Sequence, residues 1–368
     1  MSLDLEIQLI AVLVAASCAL CGSFLILRRM ALMSDAISHA ILLGIVLAFF
    51  VTHDTASPWL LIAAAATGVL TVVLVEALHR TGRVKEDAAI GLVFPALFSI
   101  AVVLITRYAG SVHLDTDAVL LGELAFAPFR RLELWGMDLG PKTMWVMGAV
   151  LLLNVSFVTV FFKELKLATF DAGLAAALGF SPALLHYAFM ALVSVTAVGA
   201  FDAVGSILVV ALMVAPPAAA YLLTDRLPVL VVLATALGAL SAILGYQLAK
   251  STDTSIAGSM ASCAGLIFLL AFLLAPDRGI VAQARRRRRQ KMEFSQAMLA
   301  IHLLQHEGTP EMTRECRPEH LTEHLRWLPQ WASRVARQAE REGLITRVGE
   351  LLELTSDGRD LARRAMVQ

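Results

Sequence analysis

The chain has 368 residues, 58% of them hydrophobic and 16% charged, with a mean hydropathy of +0.74. Soluble domains run at about half apolar and about a quarter charged, so a single water-soluble globule is excluded. The formal net charge of zero hides an uneven spread: residues 285–368 hold 16 Lys+Arg and 12 Asp+Glu, leaving 14 and 18 for the first 284, which marks a boundary near residue 280.

The opening residues Met1 to Glu6 carry two acids and no basic run, so a cleaved leader is not expected there. Nine apolar runs follow: Ile7–Leu27, Met33–Val51, Pro58–Leu78, Ala88–Thr106, Met144–Phe162, Leu184–Phe201, Ala203–Leu223, Pro228–Leu248 and Ile256–Ala275. A helix needs about 20 apolar residues to cross the hydrocarbon core, and lipid leaves the backbone no partner but itself, so these runs are helices. Cys18 and Cys21 form a C-x-x-C inside the first run, where they read as small packing residues and not as a redox or zinc pair. The second run opens on polar residues, and the sixth and seventh almost touch, so eight or nine spans are expected. Nine puts Arg28 and Arg29, Arg80 to Lys85, Lys163 and Lys166, and Arg285 to Arg289 on one side, the cytoplasmic one.

The connection Arg107 to Lys142 then faces outside. It carries His113, Asp115 and Asp117, and its apolar stretch Ala118 to Ala127 reads as an interfacial helix. These loop groups, with His53 and Asp54, suit solvated loops better than a delivery surface for metal.

Beyond the ninth run the pattern changes. A basic linker, 281–292, leads into a small domain, 293–368. Phe294, Met298, Ile301 and Leu304 recur at helical spacing, and an amphipathic stretch runs from Leu321 to Leu344. A short alternating run around Gly349 reads as a hairpin, and a last helix spans Asp357 to Val367. The expected fold is therefore all-α: a polytopic bundle of eight or nine spans with a small cytoplasmic winged-helix-like domain.

No phosphate-cradling G-x-x-x-x-G-K-[ST] and no H-E-x-x-H occurs, so if ATP drives this protein another subunit is expected to bind it. The most informative stretch is Arg28 to Ala40, containing Asp35-Ala36-Ile37-Ser38-His39. Four residues apart on a helix, Asp35 and His39 share a face, and a carboxylate with an imidazole suits manganese, iron or zinc. Ionisable groups in an apolar run are costly and usually functional. The alternative is that Ser34 and Asp35 cap the helix and His39 is a satisfied core histidine. Pro216-Pro217 in the seventh run removes two donors and should break or kink that helix, giving a possible hinge. Asp202, just before that run, is a path-lining acid or a loop residue.

The stretch Arg28 to Ala40 resembles the signature of permeases of the manganese/zinc/iron class of ABC importers. Glu86-Asp87-Ala88-Ala89-Ile90-Gly91 resembles that family's E-D-x-A-I-G. Asp115 to Gly122 is similar to its D-L-D-x-x-L-F-G, with Leu121 in place of the usual Phe. Phe170-Asp171 through Gly179, and Val204-Gly205 into Ala215-Pro216, match two further motifs in order, so the resemblance covers about residues 7 to 280.

The resemblance implies that Asp35 and His39 line the metal path, and that permeases pair, as homodimer or heterodimer. Phe170, Asp171, Ala175, Ala176 and Gly179 would belong to a coupling helix docking on a separate ABC ATPase subunit, with Ala172, Ala175 and Ala176 as a small-residue face. An extracytoplasmic metal-binding protein would deliver the ion. No permanently bound cofactor is implied, only transported manganese, zinc or iron, in a bacterial cytoplasmic (inner) membrane.

The order of elements in the tail is similar to the winged-helix domain of metal-dependent repressors. Outside Arg285–Arg289, however, it has 11 basic and 12 acidic residues, and a DNA reader presents a clear basic face, so DNA is not the expected partner. The five arginines suit anionic membrane lipid. His302/His306 and His320/His324 are two i,i+4 pairs with Cys316 nearby, read either as a regulatory metal site or as solvated histidines. Two rival readings stay open: a secondary metal transporter with no ATPase, and a membrane-tethered regulator working through the tail.

Overall fold

The computed structural model describes residues 2–53, 57–108, 124–134, 137–317 and 320–367. The chain divides into two compact units, Met1–Gly279 and Ile280–Gln368. The acidic loop residues Asp54, Asp115 and Asp117, together with His113 and most of the Ala118 to Ala127 stretch, lie outside the described residues. Leu124–Phe129 at its end is a 3-10 helix.

In the first unit the described residues form α1 (Leu3–Leu27), α2 (Ala31–Thr52), α3 (Pro58–Arg80) and α4 (Glu86–Tyr108), then a hairpin β1 (Arg131–Leu134) and β2 (Met137–Pro141). There follow α5 (Lys142–Val160), α6 (Phe162–Phe170), α7 (Ala172–Ala177), α8 (Pro182–Val204), α9 (Ser206–Leu223), α10 (Leu227–Thr252) and α11 (Ile256–Leu274). Among the described residues nine of these, all but α6 and α7, are long and apolar enough to cross a membrane.

Helix α1 is the axis of the unit. Ile10, Ala11, Val14, Ala15, Cys18, Cys21 and Phe24 are fully buried, against α5, α8, α9 and α10. With lipid outside, water drives none of this packing; close approach of small residues and internal polar bonds do. Asn154 Nδ2 donates to Thr196 Oγ1 (3.0 Å), and Thr196 donates to Leu192 O (2.8 Å), so the buried amide of α5 is tied to α8. Cys18 and Cys21 are buried free thiols within this packing. At the other end Asp4 accepts from Lys250 and Tyr246 of α10, both at 2.6 Å, and buried Glu6 holds Arg131 of the hairpin at 3.0 Å.

The prolines do not break α9. It continues through buried Pro216 and Pro217, and the interruption falls at Gly205, whose φ of +79° and ψ of 167° suit only glycine. The reason lies across the interface. Pro217 cannot donate to the Met213 carbonyl, and that oxygen is the atom nearest Gly22 of α1: a Cβ there would lie 1.9 Å from it. The freed carbonyl is thus covered by the close approach of α1.

In the second unit the described elements are α12 (Ile280–His306), α13 (Met312–Glu315), α14 (Leu321–His324), α15 (Pro329–Arg341), the hairpin β3 (Ile345–Val348) and β4 (Leu351–Leu354), and α16 (Ser356–Val367). The basic segment 281–292 is helical, part of α12. The stretch Leu321 to Leu344 is two helices, not one, because Arg326 turns left-handed (φ +51°) and Pro329 starts a new helix at its first position. Strands β3 and β4 pair antiparallel from Ile345↔Leu354 to Val348↔Leu351. Leu299, Leu303, Val335, Ile345 and Leu354 share a separate small core.

Candidate metal path and coupling site

Asp35 and His39 sit on α2, about 6 and 12 Å along it from its first residue at 1.5 Å per residue. His39 Nε2 lies 3.3 Å from Asp35 Oδ1, and the two side chains stay 28% and 40% exposed, in that order. The capping alternative does not match the helix start, and His39 is paired and partly exposed. The N-cap of α2 is Met30, with no side-chain cap, and Asp35 is the fifth residue of the helix. His39 is not enclosed in the core; one flank rests on α4, stacked on Phe94 (5.9 Å) and edge-on to Phe98 (6.0 Å). The neighbouring hydroxyls turn inward: Ser34 donates to Ala31 O and Ser38 to Ser34 O. What remains is one carboxylate and one imidazole aimed the same way on a wall of phenylalanine.

Two ligands are too few for a borderline divalent ion, which takes four or more. The pair therefore offers half a coordination shell.

Between the fifth and sixth spans, α6 and α7 meet at Asp171. Its Oδ1 accepts from Leu174 N at 2.9 Å and caps α7; Gly179 (φ +87°) turns the chain back toward α8. The small-residue face is arranged otherwise than expected. Ala175 is fully buried and faces the unit's own interior, while Ala172 and Ala176 are exposed. The outward surface is instead apolar and large: Phe170, Leu174, Leu178 and Phe180 all stand exposed. Their spacing of four residues from 170 to 178 was readable, but the break at Asp171 hid it.

The turn joining α1 to α2 touches this segment. Arg28 Nε donates to Thr169 Oγ1 of α6 (3.2 Å), and its guanidinium lies 5.0 Å from the centre of the Phe189 ring on α8. Sequence reasoning gave Arg28 only a place in a basic cluster; no spacing rule links residues 141 apart. Asp202, at the far end of α8, pairs with Arg130 at 3.1 Å in an exposed setting, as a loop acid does.

In the second unit His302, His306 and Glu315 bring ligand atoms within 4.8 Å of one another. His324 is close by, its ring 5.8 Å from that of His302. Of the rest of the expected set, His320 is shared between this cluster and Arg314, and Cys316 points elsewhere. His320 Nε2 accepts from Arg314 Nε at 3.2 Å. Cys316 lines a hollow with Leu303, Glu307, Met312 and Leu352, where burial pushes its thiol pKa up and disfavours the thiolate that metals need.

Among the described residues, nine helices long and apolar enough to cross a membrane define a multi-pass integral membrane protein. The ABC 3 transport family matches residues 5–275. The zinc transport system membrane protein TroD of Treponema pallidum is 49% identical over 361 residues, covering 98% of each chain. The manganese transport system membrane protein MntD of Bacillus subtilis is 47% identical over 286 residues, 78% of this chain and 97% of that one. A solved structure, PsaBC from Streptococcus pneumoniae in complex with Fab, aligns at a TM-score of 0.63 and 28% identity, covering 76% of this chain and 94% of that one. The chain belongs to the ABC 3 transport family. It is a permease subunit and not itself an enzyme; ATP hydrolysis belongs to a separate subunit.

Proposed function

We propose that Asp35 and His39 line the ion path of this chain, the membrane permease subunit of an ATP-driven importer of divalent transition metals. The observation that carries the reading is their geometry, a partly exposed carboxylate and imidazole 3.3 Å apart on one face of α2. A second permease chain, identical or a sister, would add another Asp and His and complete four ligands. Nitrogen and carboxylate oxygen select manganese, iron or zinc over magnesium and calcium, and relatives named for zinc and for manganese support that class.

The face Phe170, Leu174, Leu178 and Phe180 would bury itself in a groove of the ABC ATPase subunit on the cytoplasmic side. Arg28, bonded to Thr169, would carry movement of α6 to the start of α2 and so to Asp35 and His39. An extracytoplasmic binding protein would deliver the ion from the other side. The second unit is read as winged-helix-like from its helices and its β3–β4 hairpin, with its near-neutral charge pointing away from DNA. Its basic run Arg285–Arg289, exposed at every position of that stretch of α12, suits anionic lipid. MntD is accounted for almost completely by 286 aligned residues, so transport in that relative needs no tail of this length.

The test is uptake of radiolabelled manganese, zinc and iron in cells lacking their own high-affinity systems. Uptake should need the ATPase and the binding protein together. Uptake driven by an ion gradient with the ATPase omitted would replace this reading by secondary transport.

A further inference from the structure

The histidines of the second unit surround a carboxylate that the fold leaves incompletely bonded. Glu315 is 7% exposed, and its Oε2 accepts no hydrogen bond among the described residues. That oxygen is faced by imidazoles: His324 Nε2 at 3.4 Å and His320 Nδ1 at 3.7 Å. A buried carboxylate oxygen with no hydrogen bond is expensive, and a positive ion is a usual remedy.

Two further imidazoles are already oriented. His302, also 7% exposed, bonds through Nε2 to the backbone carbonyl of Glu315 at 3.1 Å. A carbonyl only accepts, so Nε2 holds the proton and Nδ1 keeps its lone pair, as in histidines readied for a metal by an outer bond. One turn on, the ring of His306 lies 4.8 Å from that of His302, and the ring of His324 lies 6.4 Å from His306. The charged neighbours are Glu311, 3.8 Å from His306 Nδ1, and Arg314, which engages His320.

We infer that His302, His306 and Glu315, with His324 as the fourth ligand, form a binding site for one borderline divalent ion, of which zinc, iron(II) and manganese are the candidates. The set joins the end of α12 to α13 and α14 across the turn at Gly308. Two or three imidazoles with one carboxylate are the donors of zinc and non-haem iron sites; magnesium and calcium take oxygen. The site is separate from Asp35 and His39 and does not depend on the transport reading.

The experiment uses the full-length chain in detergent carrying Asp35→Ala and His39→Ala, so that the transport pair contributes nothing. Equilibrium dialysis against zinc alone, and manganese alone, should give one tight ion per chain. Glu315→Gln and His306→Gln should each weaken it at least tenfold, while Cys316→Ser, whose thiol faces a different hollow, should leave it within about twofold. Affinity unchanged in both Glu315→Gln and His306→Gln overturns the proposal. X-ray absorption at the zinc edge of the unsubstituted second unit, in the same full chain, tests it without relying on variants that fail to fold. A first shell of at least two imidazoles with oxygen supports it, and a shell of oxygen alone or containing sulfur overturns it.

Discussion

Replacing Phe170 and Leu178 together by alanine should detach the ATPase subunit without harming the permease. The two side chains remain 64% and 61% exposed, so they contribute little to the unit's own core. Full burial of a Phe or Leu side chain is worth about 1.5–3 kcal/mol, so each keeps roughly 1–2 kcal/mol to gain from a partner. Losing both weakens the complex by about 2.7 kcal/mol, roughly 100-fold in Kd. The assay is titration of purified ATPase subunit onto the detergent-solubilised permease, with thermal unfolding of the permease alone as control. Affinity within about threefold of the unsubstituted chain, at an unchanged melting temperature, would refute the assignment of this face.

Three further outcomes follow from local geometry. Gly22→Ala puts a methyl against the Met213 backbone oxygen, which cannot swing aside; overpacking of that kind costs about 1–3 kcal/mol and lowers the melting temperature of the purified chain. Gly148→Ala, where the added carbon meets open space, leaves it unchanged. Arg28→Ala removes the bond to Thr169 and the contact with Phe189, so ions moved per ATP hydrolysed should fall severalfold, and Arg28→Lys should not restore it, since an ammonium lacks the planar fork; an unchanged ratio ends the proposed link from α6 to α2. Glu307 accepts a forked pair of bonds from Arg359, which holds its pKa below the usual carboxylate value. Its contribution is present above the unfolded value of about 4.3 and is lost as pH falls through the lower folded one. Arg359→Gln should therefore destabilise α16 slightly at neutral pH, and amide exchange there should show that difference shrinking below pH 4.

The membrane unit was legible because lipid demands length and apolarity, and both are written along the chain. Helix ends moved by a few residues, and the two contiguous runs around residue 202 resolved at Gly205, not at the prolines whose chemistry is louder. Strands β1 and β2 went unread, since four or five residues of ordinary composition give no period to detect. Asp35 and His39 were found because helical spacing converts directly into a shared face. Phe94 and Phe98, which form the wall behind His39, come from another helix and carry no local signal. Glu315 was missed for the same reason: it enters the histidine cluster only through the turn at Gly308 (φ +74°), while Cys316, its neighbour in sequence, points into a different hollow.

The central claim is tested most directly by metal uptake in cells expressing the complete transporter with Asp35→Asn or His39→Gln. Both substitutions keep side-chain size and remove the metal-binding charge or lone-pair geometry, so membrane insertion and ATPase binding should persist. Loss of two kcal/mol or more of ion binding, roughly 30-fold, should abolish high-affinity uptake in each variant. Uptake at the unsubstituted rate and affinity, in both variants, would contradict the account.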